Sequence, residues 1–396
     1  MGVKEALRFL ILNTDYPEFL HWLYKKHNGL ENQPYEEQMR VRNESLFGVA
    51  DFYSSNLRKF GHEAWDIHAN NESIQKTWAK EYGMKVRETS PFIQRWQNTL
   101  HQLYGMTDYA PLSYFGSSFR SILRLMGSWF YDILEAQIKY YKPDVLINHA
   151  MLEIGSSFLK EIKPYTRLIV GQIASPLPKG TDYRCYDLVI SSLPNFVEYF
   201  RKEGVRAELH RLAFEPKVLS ALEKEERKAS ISFVGSLSRH HENRIHLLEH
   251  LCKHLDVDIW GQGIDSMSER SLVRRCYKGK AWGIEMYRIL YNSKITLNHH
   301  IGIAESYANN MRLFEATGTG AMLITDWKVN LNEMFEPVRE VVAYRNAEEC
   351  AELVKYYIEH EDERKAIAVA GQRRTLKEHT YYQRMQELIE IIQKYI

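Results

Sequence analysis

Strand-like runs in this chain are predominantly apolar along their length, without the in–out alternation of a sheet that keeps one wet face. RFLILN (8–13) is the first, followed by runs at 64–68, 144–150 (DVLINHA), 167–175 (RLIVGQIAS), 186–192 (YDLVISS) and 206–214 (RAELHRLAF). Helical patterns separate them, among them residues 39–60, which read as one helix closing at Gly61. Strands buried on both faces need helices on both faces, and a parallel sheet with crossover helices supplies them. After a charged segment at 217–228 the series restarts. SISFVGS (230–236), VDIWGQG (257–263), KITLNHH (294–300), AMLITD (321–326) and EVVAY (340–344) alternate with further helical patterns.

The chain therefore reads as α/β, with two doubly wound Rossmann-like domains at 1–216 and 217–378. A last helix at 379–396 comes after the second sheet is complete and is expected to cross back and pack on the first domain. Ligands in such sheets bind outside the carboxyl ends of the strands, so a cleft faced by both domains is the expected site.

Composition removes several classes of function. With 52 basic and 51 acidic residues the net charge is +1, so no global field favours nucleic acid or an anionic membrane. The four cysteines form no CxxC pair and read as reduced thiols of a cytoplasmic protein. The amino terminus runs from a short charged lead straight into a strand, unlike a signal peptide. The apolar stretch SILRLMGSWFYDILEAQI is interrupted by Arg124, Asp132 and Glu135, so no membrane-spanning segment is expected.

Residues 298–326, NHHIGIAESYANNMRLFEATGTGAMLITD, carry the most chemistry. A strand end holds Asn298 and His300, and a helix beginning near Asn310 places Arg312 and Glu315 three apart. Gly318 and Gly320 end it, and another apolar strand follows. A helix start that carries arginine between two strand ends suits an anionic, hydroxyl-rich ligand such as a sugar nucleotide. Arg312 is expected on phosphates and Glu315 on a ribose diol; the plainer alternative is an intrahelical ion pair of small worth. FVGSLSRHHENR (233–244) sets Gly235 and Ser236 at a strand-to-helix turn followed by Arg239 and Arg244. Glycine allows close backbone approach to a diphosphate and arginine supplies charged donors, although an ordinary turn has the same residues.

GxxxxGK[ST] and GxGxxG are both absent, which argues against a P-loop ATPase and a dinucleotide fingerprint. Asp256 and Asp258 form a DxD, but at a strand entrance, where they read as a solvated strand start. His246, His250 and His254 share one helix face, better read as a polar stripe than as a metal site. No metal and no cofactor are expected. In the first domain Asp15, His68 and His149 each follow a strand, and each is a candidate base for an acceptor hydroxyl or a loop-capping polar residue.

FVGSLS, SKITLNHH, NNMRLFEATGTGAMLITD and the tail REVVAYRNAEECAELVKYYIEHEDERKAIAVAGQRRTLKEHTYYQRM together resemble the carboxy-terminal domain of GT-B glycosyltransferases. The resemblance is nearest to the CgeB-like (spore maturation protein type) group with a family-1-type domain. It implies a nucleotide-diphosphate-sugar co-substrate on the second domain, an acceptor on the first, and metal-independent transfer in which helix dipoles and basic side chains neutralise the leaving diphosphate. By position, Gly235 and Ser236 would approach the phosphates, Asn310, Met311 (through its backbone) and Arg312 would bind the diphosphate, and Glu315 the ribose. Retaining members carry another glutamate eight residues earlier, where this chain has Tyr307 with Glu305 nearby.

The expected function is a cytoplasmic glycosyltransferase acting on a hydroxyl of a glycan, protein or small molecule, with no nucleic-acid partner. If transfer inverts, Asp15 is the first choice of base, ahead of His149 and His68; if it retains, no such base is required. A nucleotide-sugar 2-epimerase and a non-catalytic sugar-nucleotide or glycan-binding protein are the alternatives.

Overall fold

The computed structural model describes residues 5–86, 129–177, 181–223, 229–238 and 241–396. The chain divides into two compact units, one of Met1–His210 with Met385–Ile396 and the other of Arg211–Arg384.

The first unit is built on a six-stranded parallel sheet in the order β2-β1-β3-β4-β5-β6. Its strands are β1 (Arg8–Asn13), β2 (Glu63–His68), β3 (Val145–Asn148), β4 (Leu168–Gln172), β5 (Leu188–Ser191) and β6 (Ala207–Leu209). Phe9, Leu10, Ile11 and Leu12 of β1 are fully buried, as an apolar strand covered on both faces requires. Chain order reverses between β1 and β3, whose registers pair Phe9 with Val145 and Leu12 with Asn148.

The second unit has its own six-stranded parallel sheet, ordered β12-β11-β10-β7-β8-β9. It comprises β7 (Ala229–Val234), β8 (Asp258–Trp260), β9 (Tyr277–Gly279), β10 (Ser293–Leu297), β11 (Met322–Asp326) and β12 (Val342–Tyr344). The order reverses between β7 and β10, so the loops after those strands flank the point where open α/β sheets bind ligands.

Three local features depart from the sequence reading. Residues 39–60 are not one helix: Tyr35–Glu44 and Phe52–Lys59 are separate, and Leu46 and Gly48 between them have left-handed backbone with φ of 58° and 61°. The Ser45 hydroxyl donates to the Arg42 carbonyl at 2.6 Å as the chain leaves the first helix. β9 is the second departure, a three-residue edge strand, YKG, without an apolar run to announce it. The third is where the chain divides, at 210/211 and 384/385. Phe214 forms a parallel bridge with Thr380, its amide donating to the His379 carbonyl at 2.9 Å, so residues 211–216 belong to the second unit.

The same tail residues hold that unit together. His379 Nε2 donates to the Met334 carbonyl at 2.8 Å, and its Nδ1 accepts from Arg384 Nη2 at 2.8 Å. That pairing sets the ring tautomer. The helix Met311–Gly318 is braced from behind by Glu361–Glu378, through Thr317 and Thr375 hydroxyls 2.6 Å apart and a bond from Gln372 Nε2 to the Gly318 carbonyl at 2.9 Å. Among the described residues no helix is long and apolar enough to cross a membrane.

Gly318 lies against the buried ring of Phe214: a Cβ built there would fall 2.4 Å from Cγ. Gly318→Ala should destabilise the protein by about 1–3 kcal/mol through overpacking, read as a lower midpoint of thermal unfolding; an unchanged midpoint would show that Phe214 can step aside.

Candidate functional site

In the second unit the loops leaving β7 and β8 run against each other. Gly235 N donates to the Trp260 carbonyl at 3.0 Å and Leu237 N to the Gln262 carbonyl at 2.8 Å. A Cβ at Gly261 would sit 1.8 Å from the Gly235 carbonyl oxygen, so glycine is required there by backbone approach. The WGQG run is thus explained by packing of one strand-end loop on another, without a dinucleotide.

Arg244, on the helix Glu242–His254, is buried beneath these loops. Its Nη1 donates to the Ser236 carbonyl at 2.8 Å and its Nη2 to the His299 carbonyl at 2.7 Å. Burial pulls its pKa down to about 10, against the raising influence of Asp326 and Tyr344. Two of the Arg244 donors are committed to backbone, so it serves as a strut between the loops after β7 and β10. Arg239 lies outside the described residues.

After β10 each polar residue is anchored. Asn298 Nδ2 donates to Thr325 Oγ1 at 2.9 Å, and Asn298 Oδ1 accepts from Asn310 Nδ2 at 2.7 Å. The Tyr344 hydroxyl donates to the Asn298 carbonyl at 2.8 Å and lies 3.0 Å from His299 Nδ1. His300 is buried, with its backbone N donating to Asp326 Oδ1 at 3.0 Å and its ring Nδ1 2.6 Å from the same oxygen. Its Nε2 is buried without a hydrogen-bond partner among the described residues. Burial raises the Asp326 carboxyl, but the bond and charge of His300, with His299 and Lys328, prevail and hold it well below the usual carboxylate range.

Asn310 caps the helix Met311–Gly318, its Oδ1 accepting from Leu313 N at 3.2 Å. The preceding amides of that first turn, Met311 and Arg312, have no intrahelical acceptor. Arg312 Nε donates to the Val234 carbonyl at 3.1 Å, and Nη1 is 2.8 Å from Glu315 Oε2. Glu315 is buried; Oε1 accepts from the Tyr287 hydroxyl at 3.4 Å. Burial raises its pKa, with Arg312 and Tyr287 opposing. Arg312 and Glu315 are thus brought together as a buried pair tied to the end of β7, more than the exposed intrahelical pair that sequence spacing alone allows.

In the first unit the structure separates the three candidate bases. The Asp15 side chain is wholly buried, Arg42 Nε donates to Oδ2 at 3.2 Å, and Arg42 Nη2 donates to Oδ1. His68 Nδ1 lies 3.2 Å from Oδ2, and its side chain is equally enclosed. Burial alone would raise the Asp15 pKa, but the charges of Arg42 and His68 hold it well below the carboxylate range. A carboxylate so paired has little proton affinity, and removing it from Arg42 would strand a buried cation. Asp15, expected to lead as base, and His68, its alternative, are thus enclosed with Arg42. His149 differs: its Nδ1 lies 2.9 Å from Asn13 Oδ1, and its Nε2 is itself buried and has no hydrogen-bond partner among the described residues. Burial, with His210, lowers its pKa to about 3, so the ring is neutral at physiological pH.

Asp326, Tyr344, Tyr287 and Asn13 escaped the sequence reading. The first two end strands at the same edge of the sheet as His300, a placement visible only once strand order is known. Among the described residues no three His, Cys, Asp or Glu side chains are grouped to hold a metal ion; His250 instead lies 3.8 Å from Glu348. Arg244→Met should leave the Ser236 and His299 carbonyls without these donors and cost about 1–3 kcal/mol for each buried acceptor left unpaired. Thermal unfolding measures this, and an unchanged midpoint would remove the strut from the account.

Residues 239–390 match the profile of the family described as Glycosyl transferase-like. No curated protein sequence matches the chain. Among solved structures, Anabaena Alr3699/HepE in complex with UDP-glucose is similar at TM-score 0.56 and 12% identity, over 98% of this chain and 100% of that one. A glycosyltransferase from Rickettsia africae ESF-5 gives TM-score 0.54 at 12% identity, over 99% of both chains. Sucrose-phosphate synthase from Thermosynechococcus elongatus gives 0.54 at 10%, over 98% of this chain and 99% of that one. Identities this low establish a shared fold, the two-sheet α/β class of the GT-B glycosyltransferases. The residues matched to the Glycosyl transferase-like profile, 239–390, include the loops and helix start around His300, Asn310 and Arg312.

Proposed function

We propose that this chain is a glycosyltransferase that takes a sugar from a nucleotide-diphosphate donor to a hydroxyl acceptor. One observation carries the reading: the strand-order reversal between β7 and β10 coincides with a capped helix start and the buried Arg312–Glu315 pair, both of which fall in the family-matched residues 239–390. The first-turn amides of Met311 and Arg312, which have no intrahelical acceptor, suit a diphosphate, and the positive end of the helix dipole favours its charge. Glu315 is the acceptor for a ribose diol once Arg312 turns toward phosphate. His300, fixed by Asp326, offers Nε2 at the end of β10. UDP-glucose, bound by the Anabaena neighbour, is the first donor to test.

The leaving diphosphate is neutralised without a metal, by the helix start and by Arg312 and His300. Tyr307 stands where a retaining enzyme of this kind has its first glutamate. The finer placement in the CgeB-like group rests on residues 233–238, 293–300, 309–326 and 339–385, and a cytoplasmic location on the composition.

A second reading, donor binding without transfer, is favoured by the enclosure of Asp15 and His68, which leaves one candidate base. Donor affinity with no release of nucleoside diphosphate in any acceptor mixture would support it. For the transferase, titration calorimetry with nucleotide-diphosphate sugars should show binding, and Arg312→Ala or Glu315→Ala should each weaken it by about 1–3 kcal/mol. Unchanged affinity in both variants would sink the site.

A further inference from the structure

In the second unit, polar bonds across the strand ends run in sheet order from β7 to β12. Arg312 reaches the Val234 carbonyl on β7, Asn310 reaches Asn298 just beyond β10, and Asn298 reaches Thr325 on β11. Trp327, the residue after β11, donates its amide to the Tyr344 carbonyl on β12 at 2.7 Å. At this far end two apolar side chains meet water: Trp327 is 47% exposed and Val329 50%. Every other tryptophan among the described residues is buried or half-buried. An indole left in water at a strand-end edge is the feature that folding alone does not require.

The segment that carries it is braced. Lys328 Nζ donates to the Glu305 carbonyl at 2.7 Å and lies 3.4 Å from Asp326 Oδ2. Val329 N donates to the Ser306 carbonyl at 2.9 Å, and Ala308 N to Asn330 Oδ1 at 2.6 Å. Glu305, at one of these joints, is held at φ 50° and ψ −118°, a backbone conformation that residues with a Cβ rarely adopt. The loops after β10 and β11 therefore form one ledge, and Trp327 is presented by fixed backbone.

The proposed donor supplies an occupant for that ledge. Glu315, the acceptor for the ribose diol, takes the Tyr287 hydroxyl, and its partner Arg312 is tied to β7, so the nucleoside lies toward β7. The diphosphate sits at the helix start, beside the end of β10. Nucleoside and sugar hang from opposite ends of a diphosphate, which puts the sugar on the side of β11. One face of a pyranose ring is a plane of C–H groups that packs on an indole, while its hydroxyls stay hydrated at a half-open edge. We infer that Trp327 is a specificity-determining residue that stacks on the sugar ring of the donor. The inference rests on the donor-binding reading of the helix start at Met311.

Titration calorimetry of the full chain with UDP, UDP-glucose, GDP and GDP-mannose tests it. For the sugar nucleotide that binds, Trp327→Ala should weaken affinity at least about fivefold, and should leave the matching nucleoside diphosphate unchanged. Trp327→Phe, which keeps an aromatic face, should recover most of the loss. Arg312→Ala, by contrast, should weaken both ligands. The midpoint of thermal unfolding should be the same in Trp327→Ala as in the unsubstituted protein, since the ring is half in water. Equal losses for sugar nucleotide and nucleoside diphosphate in Trp327→Ala, or no loss for either, would overturn the inference while the donor site stands. An unsubstituted protein that binds none of the four would overturn the donor reading and this inference with it.

Discussion

A buried guanidinium must find acceptors, and Arg244 finds two of them on different loops of the second unit. Ser236 follows β7 and His299 follows β10, the strands between which chain order reverses. Loops at that point have no ladder to hold them, since they lie beyond the strand ends. One side chain from the helix Glu242–His254 supplies the missing constraint. Around it the other contacts fall into place: Gly261 gives the loop after β8 room to press on Gly235, and Tyr344 holds the Asn298 carbonyl. Asn310 reaches Asn298 while capping the helix that carries Arg312 and Glu315. The helix start and both loops form one connected polar network in which partly satisfied members would be costly.

Burial decides the roles of the ionisable groups in both units. Asp15 and Arg42 are enclosed together, so their charges are committed to each other and neither is free for a ligand. His149 is bonded through Nδ1, while its Nε2 is buried without a hydrogen-bond partner among the described residues. His300 repeats the arrangement in the second unit, with Asp326 in place of Asn13.

Much of the fold was legible in the sequence because double-sided burial writes itself into a strand as an uninterrupted apolar run. RFLILN and AMLITD could hardly be anything else. β9 was not legible, since an edge strand of Tyr277, Lys278 and Gly279 buries little and has no such pattern. The break between residues 44 and 52 was hidden for another reason: Leu46 takes a left-handed backbone that its side chain does not advertise. At the site, Asn298, Asn310, Arg312 and Glu315 could be placed from strand and helix boundaries. What they touch could not. Nothing near Asp15 in the sequence announces that Arg42, on a separate helix, will enclose it, and so the least suitable carboxylate looked like the best base.

The central claim is that the loops after β7 and β10 and the helix start at Met311 bind a nucleotide-diphosphate sugar. Hydrogen exchange of the full chain, with and without UDP-glucose and related donors, tests it most directly. Binding should slow exchange at amides 235–238, 298–300 and 311–313 together, because one ligand would brace three segments that Arg244 and Asn298 already join. Donor binding that leaves all three segments unchanged and protects amides elsewhere would contradict it.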